Sequence, residues 1–206
     1  MSRLFKTPGV RRRHRCGMKT ISELLAATAE RAIPVVRGVT GDALTAPTPC
    51  PEYDVRALIN HLLQVVVNFR ALAAKQGTDF SATPDRTAEG DWREAFADEC
   101  ARLVKAWAEP GAEEGTTGAL GLPARTVGHM VLTDLTVHAW DLARATGQEY
   151  APDPGVIAEL GPAVEEMAPR ARRYGAFGEA VSVPADASPF ARVLAVTGRD
   201  PGWSPH

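Results

Sequence analysis

The sequence predicts an all-α fold, a four-helix bundle carrying a short helical C-terminal extension. Three observations lead there. Apolar residues recur at helical spacing in four long segments, no segment alternates as a half-buried strand would, and Pro- and Gly-rich turns separate the segments.

From Thr20, "ISELLAATAERAIPVVRGVT" sets Ile21, Leu24, Leu25, Thr28, Ala32, Val35 and Val39 on one face, with Pro34 expected to kink the helix. The turn "TAPTPCPEYD" follows and ends in Asp54, an N-cap for the second helix. That helix, "VRALINHLLQVVVNFRALAAKQ", carries Leu58, Leu62, Val65, Phe69 and Leu72 on one face and is expected to stop near Gly77. A polar loop from Thr78 to Gly90 leads to the third helix, whose stripe is Trp92, Phe96, Cys100, Leu103 and Trp107; these aromatics read as core rather than as a stacking platform. The Gly-rich "PGAEEGTTGALGLP" precedes the fourth helix, about Arg125 to Thr146, with Gly147 as its C-terminal cap. Beyond it, Asp153 with Pro154 and Ser188 with Pro189 mark the starts of two more helices. The organisation expected is therefore an arm at 1–17, a bundle at 18–150 and an extension at 151–206 packed on it.

Bulk properties exclude several classes. The arm "MSRLFKTPGVRRRHRCG" holds six of the 23 Lys and Arg residues and no acid, so the rest carries 17 bases against 25 acids. The arm is read as a disordered tail ahead of a functional start at Met18, and it lacks the apolar stretch of a secretory signal. The acidic remainder argues against nucleic acid as a partner. No apolar run reaches the ~18 residues of a membrane span. Cys16, Cys50 and Cys100 are too few and too scattered for a disulfide framework or a CxxC metal knuckle, which points to a reducing cytoplasm.

The chemistry concentrates in "DLTVHAWDLARATG". Asp134 and His138 stand four residues apart, one above the other on a helix, beside the stripe of Val131, Leu135, Leu142 and Ala145. On the second helix His61 lies at the edge of the apolar face. If the two helices are neighbours, His61, Asp134 and His138 can meet inside the bundle. Spacing leaves two readings open: a hydrogen-bonded structural pair, or a three-ligand site for zinc, nickel or manganese with a free coordination position. Asp141, one turn after His138, either takes the second imidazole proton as a metal site's outer partner does, or forms a surface ion pair with Arg144 or Arg125. His129 falls on another face, and Trp140 is expected to pack against the extension. Cys50 is either activated by the following helix N-terminus or is a buried turn residue. Glu52 and Tyr53 are placed at a pocket mouth.

"TPCPEYDVRALINHL" together with "DLTVHAWDLARATG" resembles the metal-binding region of mycothiol-dependent maleylpyruvate isomerases, which are DinB-like bundles. The similarity runs from about Thr20 to Trp203, and "DASPFARVLAVTGRDPGW" resembles the tail of an actinobacterial subgroup. The resemblance implies metal ligands at His61, Asp134 and His138, although the isomerases carry glutamate where this chain has the shorter Asp134. It also implies mycothiol as a thiol cofactor and a small electrophile as substrate. Because the tail is not the isomerases' own C-terminal domain, maleylpyruvate itself is not implied. Three functional classes follow: a metal- and thiol-dependent transferase or isomerase, a non-catalytic metal-binding sensor or interaction scaffold, and a bundle whose polar pair only fixes helix register. Small-molecule partners are expected in the first, with no nucleic acid and no membrane; a homodimer is left open.

Overall fold

The computed structural model describes residues 18–81, 83–118 and 120–205. The arm at 1–17, with Cys16 and its expected disorder, lies outside the described residues.

Local chemistry sets the ends of each helix. Helix α1 (Ile21–Gly38) starts at a capping box: the Thr20 hydroxyl accepts from the Glu23 amide and the Glu23 carboxylate accepts from the Thr20 amide. Pro34 lies inside it without ending it. Helix α2 (Val55–Ala73) is capped by Asp54, which accepts from the Ala57 amide at 2.8 Å. It stops four residues short of Gly77, because Lys75 takes a left-handed conformation (φ 59°) and its ammonium donates to the carbonyls of Ala112 and Glu114. Helix α3 (Trp92–Ala108) is capped by Asp91. Helix α4 (Ala124–Ala145) closes where Gly147 (φ 68°) turns the Gln148 amide back onto the Ala143 carbonyl. Helices α5 (Pro154–Arg173) and α6 (Pro189–Val196) begin at Asp153 and Ser188, each followed by proline.

The connections hold more order than the sequence suggested. A two-residue hairpin pairs β1 (Thr116–Thr117) with β2 (Leu122–Pro123) in the Gly-rich stretch, too short to leave an alternating pattern. The loop after α2 is pinned by buried Asn60, which accepts from the amides of Arg86 and Thr87 and donates to Asp85. Hydrogen bonds donated by the Thr87 hydroxyl and then by the Asn60 amide hold the Asp85 carboxyl down at about 2.

α1 and α2 each pack on both α3 and α4, so the helices follow the order α1, α3, α2, α4 around the core. All stripe residues named for these helices are buried. Helix α5 lies on α4 and α1, with α6 against α5. Helix α4 therefore has a covered face on either side, which is why it is buried from Val131 to Ala143 at every position except Asp134, and why Trp140 joins the core. Arg125 bridges Glu113 and Glu159 at 2.6 Å each and ties the loop before the hairpin to α4 and α5. Among the described residues no helix is long and apolar enough to cross a membrane.

α1 packs tightly on α4 at Gly128, where an added Cβ would lie 2.6–2.9 Å from three carbons of fully buried Ile21. Gly128→Ala should therefore lower stability by about 1–3 kcal/mol through overpacking, read as a fall in the midpoint of thermal unfolding.

Candidate metal centre

Packing of α2 on α4 brings His61, Asp134 and His138 together at the edge of the core. Asp134 Oδ1 stands 3.9 Å from His61 Nε2 and 3.7 Å from His138 Nε2, and the two imidazole rings meet edge to face at 4.9 Å. Neither carboxylate–imidazole distance is a hydrogen bond. Three donor atoms thus converge without bonding to one another. A tetrahedral zinc with bonds of about 2.1 Å holds neighbouring donors about 3.4 Å apart; the two carboxylate–imidazole separations stand within about half an ångström of that spacing, and all three donor atoms lie within 4.8 Å of one another.

The hydrogen bond that His138 does make is to Asp141, whose Oδ2 lies 2.8 Å from Nδ1. A carboxylate can only accept, so Nδ1 carries the proton and the Nε2 lone pair is turned toward His61 and Asp134. Burial pushes the His138 pKa down, against the pull of Asp141 upward, which favours the neutral imidazole a metal needs. Tyr53 stacks on His61 with ring centroids 5.0 Å apart, and its hydroxyl stands 3.5 Å from His61 Nδ1, at the outer limit of a hydrogen bond. Burial raises the Tyr53 pKa, which keeps the phenol protonated.

Asp141 is not on the surface. It is fully buried, and its cationic partner is Arg199, whose Nη2 donates to Oδ2 at 3.3 Å. The expected partners are engaged elsewhere: Arg125 with the two glutamates, Arg144 with the Trp203 carbonyl. Arg199 is the residue that sequence reasoning missed. It follows the C-terminal helix, 58 positions from Asp141, and no local pattern marks it. His129 sits on a different face, 2.9 Å from Glu159.

A second donor group shares His138: the Cys50 thiol and Asp141 lie near its Nδ1 side. There the Arg199 guanidinium, also 3.5 Å from Nδ1, already supplies the positive charge a metal would bring. Cys50 is a buried turn residue held by Thr48, and burial pushes its thiol pKa up, only partly opposed by Arg199. Cys100, deep in the core, is pushed up to about 12.

A cavity of about 570 Å³ opens onto the three converging residues, within the range of small-molecule sites. Tyr53 and Glu52 line it, as do Cys50, Met130, Phe80 and Arg199.

Fold and site together define an all-α bundle with a cluster of candidate metal ligands facing a cavity. The chain belongs to the mycothiol maleylpyruvate isomerase N-terminal domain family, a DinB-like group, whose model matches residues 25–143. It is similar to uncharacterized proteins of two Mycobacterium tuberculosis strains, CDC 1551 / Oshkosh and H37Rv. Each is 30% identical over 174 residues, covering 80% of this chain and 90% of the relative. No solved structure matches the chain.

Removing Arg199 would leave the Asp141 carboxylate buried without its counter-charge. Arg199→Leu should cost about 3–5 kcal/mol in denaturant unfolding, and adding Asp141→Asn should recover much of that loss. In a Cys16→Ser, Cys50→Ser background, Cys100 should resist a thiol reagent at pH 8 and react fully once the chain is unfolded; rapid native labelling would contradict its burial.

Proposed function

We propose that His61, Asp134 and His138 hold a divalent ion, zinc first with nickel or manganese as alternatives, and that the protein is a thiol-dependent transferase or isomerase acting on a small electrophile, with mycothiol as the thiol. The observation that carries this reading is the pair of 3.7 and 3.9 Å separations: three donors face one point, yet form no hydrogen bonds among themselves. A structural pair fixing helix register would close to about 2.8 Å, as His138 does with Asp141.

A divalent ion bound there would act as a Lewis acid and favour thiolate over thiol at neutral pH. The chain's own residues do the rest. Asp141 fixes the tautomer and direction of His138, and Tyr53 braces the His61 ring. Arg199 keeps the Asp141 charge compensated within the core. The cavity gives a small molecule a place beside the site, which favours catalysis over a closed structural centre. The free thiols of Cys50 and Cys100 suit a reducing cytoplasm.

Elemental analysis of the purified protein should find about one equivalent of divalent metal. In equilibrium dialysis, His61→Ala and His138→Ala should lose it, His129→Ala should retain it, and Asp134→Glu should bind as well or more tightly. If neither purified nor zinc-, nickel- or manganese-treated protein holds metal, the centre is refuted. With cobalt in the site, mycothiol should change the visible spectrum and support turnover of electrophilic test substrates. If it does neither, the enzyme reading fails and a metal-binding sensor or scaffold is what remains.

A further inference from the structure

The cavity beside the candidate centre has two unlike ends. His61, Asp134 and His138 stand at one. From there Val65 and Phe69 continue along α2, one and two turns on, while Met130 stands one turn back along α4. Gly118, shortly before α4, lies against Leu72 and Gln76 at the end of α2, so the two helices run antiparallel and these side chains extend in the same direction. From His61 to Phe69 the cavity runs about 12 Å along α2, at about 1.5 Å per helical residue, and its far half, from Val65 on, is an apolar trough. Phe80, from the loop pinned by Asn60, packs edge-on to Phe69 with ring centroids 6.0 Å apart, and Leu120 completes the wall.

Two facts set this wall apart from an ordinary core face. Among the described residues the exposed large hydrophobics are Met18, Phe80 and Tyr174, and two of these three line this one cavity. Arg199 is the one Lys or Arg on the lining among the described residues, and it is already committed to Asp141, whereas Glu52 and Asp134 add carboxylates. An anionic ligand would find no uncommitted Lys or Arg along the trough. An uncharged apolar one would cover exposed aromatic surface.

We propose that the cavity takes a neutral, apolar small molecule, its alkyl or aryl body along Val65, Phe69, Phe80, Leu120 and Met130 and its reacting end at His61, Asp134 and His138. The orientation rests on reading that polar end as the metal centre; the trough stands on its own geometry.

Titration of the full chain with N-phenyl-1-naphthylamine, a neutral apolar dye, should give a saturable single-site rise in fluorescence. Phe80→Ser, at a half-exposed loop position, and Met130→Glu, which sets a carboxylate on the wall, should each weaken binding by about tenfold, with circular dichroism unchanged. In chelator-treated protein, where no bound ion attracts a carboxylate, 1-octanol should displace the dye at lower concentration than octanoate. The chelator-treated protein should keep dye binding, so loss of the metal reading and loss of the trough are told apart. No saturable binding, better displacement by octanoate, or unchanged affinity in both wall variants would overturn the proposal. So would a concentration-dependent dimer dissolved by Phe80→Ser, which would make a second copy of the chain the occupant.

Discussion

A carboxylate with no solvent exposure, Asp141, sits at the junction of everything described for this protein. An isolated charge in that position would cost several kcal/mol, so the fold must bring it partners. It has two. One is the imidazole of His138, one turn away on the same helix, and the other is Arg199, delivered by the C-terminal segment. The extension therefore supplies the charge that lets α4 carry an acid through its core-facing surface. That acid in turn sets which nitrogen of His138 faces outward.

This arrangement divides labour around a single histidine. Its Nδ1 side is saturated by Asp141 and crowded by a guanidinium. Its Nε2 side looks toward His61 and Asp134 across distances too long for hydrogen bonds but near those between ligands of one ion. Tyr53, brought in by the Pro-Cys-Pro turn, stiffens the opposite wall by stacking on His61. Buried contacts hold the side chains of the polar site from behind, and the cavity opens in front of them. Membership of the maleylpyruvate isomerase N-terminal domain family agrees with a metal-binding role for such a cluster.

The fold was largely legible because helices announce themselves locally. Period, caps and turns are properties of neighbouring residues, so Asp54, Asp153, Ser188 and Gly147 could be assigned their roles from spacing alone, and the buried stripes followed. Errors came where a distant residue overrode the local pattern. The second helix stops early because Lys75 reaches carbonyls 37 and 39 positions away, and the Gly-rich connection contains a hairpin too short for a periodic signal. Asp141 was ambiguous for the same reason: from sequence it had two nearby arginines and one histidine, with nothing to rank them.

What the sequence by itself determined was a set of amphipathic helices and the pairing of Asp134 with His138 on one helix face, because both depend on intervals of three or four residues. Whether His61 met that pair depended on α2 and α4 being neighbours around the core, which is a matter of packing. That Asp141 turned inward was decided by Arg199, 58 positions further on, and that Val65, Phe69, Phe80 and Met130 formed one wall was decided by the antiparallel run of two helices. Charge compensation and cavity shape arise from contacts between segments far apart in the chain, and only the folded structure brings those segments together.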